Sequence, residues 1–431
     1  MPSPERGQRS ILVLDGHTTQ ALACVRSLGR AGARVFVAST ERWPLAAWSR
    51  YCRAWVRQGG GGDTPDGLAA VRRWASDRGV EVVLPQRERT CLLCDAERGQ
   101  WEAAGMTLGC GPTDMLLGAF DKGRTLALAH ASGVRIPPTW FPASLADCQA
   151  AAAMVSYPCI VKPRFSDFWD AGAGRFQAEH GAHYVRDAVE LCESALSLRQ
   201  GEHWPVIQDI VPGRGKGVSA LYEHGQPVAW FAHERLRDVR PSGSSSSLRR
   251  SIPVEPRLRE PASRLLGALG WHGPAMVEFR DDGSGEPYLI EVNGRLWGSL
   301  ALAVAAGIDF PLLWTALLRG EPVAPPAGSR NGVTLRWLWG DLKRLLRIVE
   351  GPPPGCPEPY PGIWAGLREV LGPQPPGTTV ETWSRDDVWP ALGEWVQGAG
   401  ELGGMLQTRL ARLVSGVATR QRASTPVAAA R

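Results

Sequence analysis

The sequence predicts an α/β and α+β chain: a Rossmann-like parallel-sheet domain, a larger α+β region behind it, and a helical, Pro-rich extension at the C-terminal end. Three observations carry this. Residues 10–40, "SILVLDGHTTQALACVRSLGRAGARVFVAST", run from a buried-type strand through a glycine turn and an amphipathic helix to a second strand, one βαβ unit of a parallel sheet. Residues 274–295, "PAMVEFRDDGSGEPYLIEVNGR", read as a β-hairpin turning in "DDGSGE". From residue 323 on, prolines cluster around amphipathic helices, as in "EGPPPGCPEPYPG".

The elements follow in order. "VRRWASDRGVEVVLPQ" adds a helix and a strand, so the first domain is expected over 1–115. Its turn, "DGHTTQ", lacks GxGxxG, so a Rossmann-like fold here does not imply NAD or hydride transfer. The second region is expected over 116–322, with a small subdomain over about 134–208 and a large one over about 209–322. It begins with the helix of "FDKGRT" and a Pro-Pro break, then a strand into Lys162-Pro163 and a small-residue loop to Gly174. "VIQDIVPGRGKGVSALYEHGQPVAWFAHERLR" reads as two strands separated by "HGQP", and "RPSGSSSSLRR" as a polar loop. The extension fills 323–431, with a frayed tail over about 421–431.

Bulk properties narrow the function. A net charge of +5 on 431 residues, with no basic run interleaved with aromatics, argues against a nucleic-acid binder. The most apolar window, 299–318, is interrupted by Asp309 and Pro311, which predicts two packed helices rather than a membrane span. Nine scattered cysteines do not form a disulfide framework, so a reduced, cytoplasmic chain is expected, and Cys91 and Cys94 read as buried helix thiols.

The hairpin carries the chemistry. If it is symmetric about its tip, Glu278 falls opposite Glu291, and facing residues have Cβ atoms about 4.5–5.5 Å apart. Two carboxylates that close repel unless a proton or a cation lies between them. Asn293, two residues on, shares the face of Glu291, and the three oxygen donors suit Mg²⁺ completed by phosphate oxygens. The competing reading, ordinary surface residues, conflicts with the apolar flanks "AMVEF" and "YLIEV". Such a site needs cations for the phosphates: Lys162 at the end of "CIVKP" and Lys122 at the start of a helix are the candidates. Gly172 and Gly174 free the intervening loop to approach a phosphate chain. Arg295 is read as the clamp for an oxyanion or a carboxylate.

Taken in order, "DK" at 121–122, "VKP" at 161–163, "VIQDIVPG" at 206–213, "MVEF" and "EVNGR" resemble the ATP-grasp superfamily over roughly residues 1–320. More narrowly, "DGHTTQALACVRSLGRAG", "SRYC" at 49–52 and "EVNGRLWGSLALAVAAGIDFP" look like its predicted ATP-dependent carboligases. The resemblance implies a preATP-grasp domain followed by two subdomains that hold ATP between their sheets. Lys122 and Lys162 would contact its phosphates, with the loop from Ser166 to Gly174 closing over them. Gln208, Asp209 and the backbone near Val211 would bind adenine and ribose, where family members often carry Glu in place of Gln208 or Asp209. Glu278, Glu291 and Asn293 would hold one or two Mg²⁺ or Mn²⁺ ions, with Arg295 and Lys162 as the catalytic pair.

The implied reaction turns a carboxylate and ATP into an acyl phosphate, which an amine or similar nucleophile then captures. A bicarbonate-using carboxylase or carbamoyl-type enzyme and a non-catalytic ATP-binding module are the alternatives. For substrate contact the sequence offers Arg249 and Arg250 after the serine run, with Arg235 on a strand nearby. The expected partners are therefore a small-molecule carboxylate and an amine, with no nucleic acid and no membrane. The C-terminal residues carry no assignable motif and are read as either a cover for the substrate cleft or an oligomer contact, a homodimer included.

Overall fold

The structure is a computed structural model that describes residues 9–59, 64–170, 172–177, 181–243 and 245–403. The expected tail at 421–431 and Ser244 of the serine run lie outside them.

Strands β1 (Ser10–Val13), β2 (Arg34–Ser39), β3 (Cys52–Arg57), β4 (Val82–Leu84) and β5 (Thr107–Leu108) form a parallel sheet in the order β3-β2-β1-β4-β5. β1 is fully buried and reads as an unbroken apolar run because helices cover both faces of the sheet. Its first helix, Thr19–Arg30, starts at Thr18, whose side chain accepts from Ala21 N.

A second, antiparallel sheet holds β6 (Thr139–Trp140) and β7 (Cys159–Lys162). The expected small-residue loop that follows is folded instead as a short hairpin of β8 (Trp169–Asp170) and β9 (Arg175–Phe176), with Trp169 packed edge-on to Phe176. β10 (His183–Val185) and β11 (Val206–Asp209) complete the order β10-β7-β11-β6.

The third sheet carries the hairpin. β12 (Arg214–Glu223), β13 (Gln226–Asp238), β14 (Ser246–Ile252), β15 (Gly273–Asp281), β16 (Tyr288–Asn293), β17 (Thr334–Arg336) and β18 (Thr379–Val380) run in the order β16-β15-β12-β13-β14-β17-β18. The stretch read as two strands thus makes three, because the chain leaves the second sheet after Asp209 and enters the third at Arg214 through Gly213, at φ +115. A Cβ there would lie 2.4 Å from the Asp281 backbone, so only glycine fits the crossing.

Two expectations are overturned here. The serine-arginine stretch is not a flexible loop: Ser246, Ser247, Arg249 and Arg250 belong to β14, an interior strand. Alternation was hidden because buried polar residues, not apolar ones, fill its inner positions. The extension is not only helical either, since β17 pairs with β14 and β18 with β17, extending the sheet. Helices Leu338–Glu350, Ile363–Leu371 and residues 389–403 accompany these strands.

The apolar window folds as helices Leu300–Ala305 and Phe310–Leu318, the second capped by Asp309, whose side chain accepts from Leu312 N. Among the described residues, no helix is long and apolar enough to cross a membrane. Cys91 and Cys94 are free, buried thiols on the helix Glu88–Ala96.

Candidate active site

The hairpin folds in the expected register. Glu278 pairs with Glu291 and Met276 with Asn293, with a bulge between Glu278 and Phe279. Across the sheet Glu278 faces Gly217, which faces His233. The glycine makes this row work, because a Cβ on Gly217 would lie 2.3 Å from the His233 ring. A neighbouring glycine, Gly215, leaves room for Arg235, whose Cδ would otherwise meet a Cβ at 2.7 Å. Arg235 thereby reaches across β12 to ion-pair with Glu278.

The electrostatics of this face are unbalanced. Glu278 is 8% exposed, and burial raises its pKa, an effect that Arg235 opposes and Glu291 reinforces. The His233 imidazole is pushed down to about 3 by burial and by Arg235 and Arg249, so it is neutral at ordinary pH. Asn293 donates to Glu278 Oε1 at 3.2 Å and accepts from Arg295 at 3.2 Å. Turning that carboxamide over would aim its oxygen at the paired carboxylates, a choice that hydrogen-bond networks decide.

Facing this sheet, Lys162 ends β7 and donates to Gln208 Oε1 at 2.7 Å. Burial lowers the Lys162 pKa to about 8; Glu291 pulls it up, and Lys122 and Arg280 push it further down. Lys162 therefore lies within electrostatic reach of the hairpin, and Lys122 within reach of Lys162. Lys122 opens the helix Lys122–Ala131, capped by Asp121, and donates to Ser166 Oγ at 2.9 Å. Gly174, at φ +62, sits in the exposed turn of the β8–β9 hairpin with Gly172.

The expected hinge has a different local geometry from the one read in the sequence. Gln208 is 1% exposed, and its carboxamide is engaged at both ends, by Lys162 and by Thr139 Oγ1 at 2.9 Å. Asp209 accepts from Ser156 N at 3.1 Å, and Val211 is buried in the crossing to the third sheet.

Arg295 does not continue the strand face of Asn293, because β16 ends at Asn293 and the chain turns at Gly294. Its guanidinium swings to Glu88, 3.7 Å away, while its Nε is buried without a partner. Glu88 is the residue that sequence reading missed. Burial lifts its pKa to about 7 against the pull of Arg295 and Lys122, with Asp167 and Glu291 pushing upward. It starts the helix just after β4, at the carboxyl end of a parallel strand, where ligands of open α/β sheets bind. "PQRERT" could have been flagged on that rule alone.

Arg249 and Arg250 are not gathered around the hairpin. Arg249 is 4% exposed and ion-paired to Glu381 of the extension, and Arg250 pairs with Glu234. Arg235 is the one of the three at the carboxylates.

Two facing carboxylates and a carboxamide are the hard oxygen donors a divalent cation takes, and a cation would offset the Glu278–Glu291 repulsion. Among the described residues, no three His, Cys, Asp or Glu side chains form a metal cage by themselves. Such a set suits an ion that keeps phosphate and water oxygens, as Mg²⁺ does. The residues fit.

Residues 206–340, from β11 through β17, match the family described as ATP-grasp in the biosynthetic pathway with Ter operon. The chain is 29% identical over 216 residues to a D-alanine--D-alanine ligase of Ectopseudomonas mendocina, covering 46% of this chain and 64% of that one. It is 26% identical over 243 residues to the vancomycin/teicoplanin A-type resistance protein VanA of Enterococcus faecium, covering 51% and 67%. Among solved structures, a biotin carboxylase from Campylobacter jejuni superposes with a TM-score of 0.60 at 16% identity, over 76% of this chain and 74% of that one. Over residues 206–340 the chain is similar to the ATP-grasp superfamily. The fold likeness covers 76% of this chain, whereas the family match stops at residue 340, short of most of the extension. The matched stretch is also under two thirds of the ligase's length.

Proposed function

We propose that the chain is an ATP-dependent ligase that activates a carboxylate as an acyl phosphate and passes the acyl group to an amine. One observation carries this reading: Lys162, with Lys122 beside it, acts electrostatically on Glu291, which is paired with Glu278 on another sheet. Relatives that are named ligases support it. The domain limits read from the sequence are kept as part of the proposal, with β17 and β18 assigned to the large subdomain's sheet. Nine free cysteines support a reducing, cytoplasmic setting.

In this reading Lys122 and Lys162 hold the ATP phosphates, and Glu278, Glu291 and Asn293 hold one or two Mg²⁺ ions. When bound, the metal neutralises phosphate charge and orients the transferring group. The chain's own residues do the rest. Arg295 orients the acid, with Glu88 fixing the guanidinium. The acid's oxygen attacks the γ-phosphorus and ADP leaves. The amine nitrogen then attacks the acyl carbon, the C–O bond to phosphate breaks, and an ammonium substrate gives up two protons, one to phosphate and one to solvent. Positioning and fixed charge supply the acceleration.

The test is to incubate the protein with Mg-ATP and pools of small acids and amines while following ADP, AMP and phosphate separately. ADP and phosphate formed only when both substrates are present is the expected result. AMP with pyrophosphate refutes the acyl phosphate. Turnover with bicarbonate alone would favour a carboxylase or carbamoyl-type reaction instead, a reading for which the biotin carboxylase likeness speaks only at the level of fold.

A further inference from the structure

A cavity of about 260 Å³ lies away from the lysines and the metal carboxylates, between the first domain and the C-terminal extension. One wall is the turn after β1, with His17, Thr18, Thr19 and Gln20 at the start of the helix Thr19–Arg30. The floor is β14, through Ser246 and Arg249. The far wall belongs to the extension: Trp337, Trp339, Lys343, Glu394 and Glu401. Gln397 fastens the two walls together, donating to His17 O at 2.9 Å and accepting from Leu45 N at 2.9 Å.

The cavity borders the same sheet as the metal hairpin. Gly298, just past the metal hairpin, lines it, and Arg249 lies opposite Arg235, the residue that holds Glu278. From β15 to β14 is three strand spacings, roughly 14 Å at about 4.8 Å each. That leaves room for a phosphoryl group and an activated acid between the metal site and the cavity.

Its lining is specific in kind. Charges come in both signs: Lys343 meets Glu401 at 2.7 Å, and Glu394 accepts from Trp337 Nε1 at 2.6 Å and Thr382 Oγ1 at 2.9 Å. Arg249 Nε, buried in the floor, has no hydrogen-bond partner among the described residues. Helix starts suit a carboxylate because their first N–H groups have no intrahelical partner; here Thr18 caps Ala21 N, and Thr19 and Gln20 line the cavity. Trp337 and Trp339 supply apolar faces. The volume falls below the roughly 300–1,000 Å³ of ordinary small-molecule sites, which excludes a nucleotide and fits a ligand of one residue.

We propose that this cavity is the acceptor site, and that the acceptor is a single α-amino acid with an apolar side chain. Its carboxylate pairs with the helix start and the basic groups, its ammonium with Glu394 and Glu401, and its side chain with the two indoles. The reaction assigned to it rests on the ligase reading; the binding does not. The two indoles lie inside the family match, whereas Lys343, Glu394 and Glu401 lie beyond it.

Calorimetry on the full-length chain tests it, with L- and D-leucine, L- and D-phenylalanine, glutarate and putrescine as probes and a non-hydrolysable ATP analogue with Mg²⁺ as a separate titrant. An apolar amino acid is expected to bind. Lys343→Met and Gly298→Leu should each weaken it at least tenfold while analogue affinity stays within twofold. A Cβ on Gly298 meets nothing within 4 Å, so this variant fills the cavity without a core clash, and an unchanged Tm confirms folding. No binding by any amino acid, binding of glutarate or putrescine alone, or amino-acid binding unchanged in both variants overturns the proposal. Loss of analogue binding by the wild type would sink the ligase reading instead, leaving the amino-acid titration to decide the cavity by itself.

Discussion

Two of the buried guanidinium–carboxylate pairs on the third sheet, Arg249–Glu381 and Arg235–Glu278, differ in what surrounds them. Arg249 and Glu381 are flanked by a second such pair, Arg26 with Asp387, in which Arg26 Nε donates at 2.8 Å and the guanidinium also bonds Glu381 O and Thr382 O. Charge there is matched, and the group ties the first domain, β14 and the extension together. Arg235 and Glu278 have Glu291 as a third member, so their face holds two carboxylates to one guanidinium. The matched cluster is a fastener. The unmatched one is the pair proposed above to hold a divalent cation.

This contrast can be broken by mutation. The largest effect is expected from Glu291→Gln, which removes the excess charge. Turnover of ATP, read as ADP release, should fall by at least about 100-fold, while Tm holds or rises because the Glu278–Glu291 repulsion is gone. A fall in Tm with partial activity would make Glu291 a structural residue. Next comes Arg26→Met, which strands Asp387, itself 2% exposed. Unfolding in denaturant should lose about 3–5 kcal/mol, with the Mg²⁺ requirement of nucleotide binding unchanged.

A pH effect sharpens the site side. The Lys162 pKa of about 8 lies below its ordinary value of 10.5. The native state therefore binds fewer protons than the unfolded one between those values, so Lys162 makes stability rise with pH across that window. Binding of phosphates needs the charged form, so nucleotide affinity should fall as pH rises from 7 to 9, and Lys162→Met should flatten that slope. A smaller effect belongs to the extension. Burial raises Glu394 to about 7 from 4.5, so the native state binds more protons in that window and stability falls as pH rises through it. Glu394→Gln should reduce the slope in a series of melting curves between pH 4.5 and 7, without removing the share that Glu88 contributes.

The same contrast explains what could be read from the chain. The hairpin was legible because its signal is local: a tip, a period of two, and polar residues where apolar ones were due. Register followed from symmetry, and Glu278 fell opposite Glu291. Lys122 and Lys162 were legible from their places at the start of a helix and the end of a strand. Arg295 lies outside the strand, which ends at Asn293, although its guanidinium still reaches Asn293 Oδ1, and its partner Glu88 lies some 200 positions earlier. Arg249 looked like loop because its strand is held by contacts with β17 and Glu381, far along the chain. Long-range ion pairs leave no periodic trace in a single sequence, so the extension's strands and its cavity emerged only in three dimensions.

In the proposed site Glu278, Glu291 and Asn293 hold a divalent cation against phosphates presented by Lys122 and Lys162. Calorimetric titration of a non-hydrolysable ATP analogue, with Mg²⁺ and with excess chelator, tests it most directly in the wild type and in Glu291→Gln. The account predicts that chelator weakens wild-type binding at least tenfold and leaves the variant, already weak, unchanged. Equal wild-type affinity with and without Mg²⁺ would contradict it.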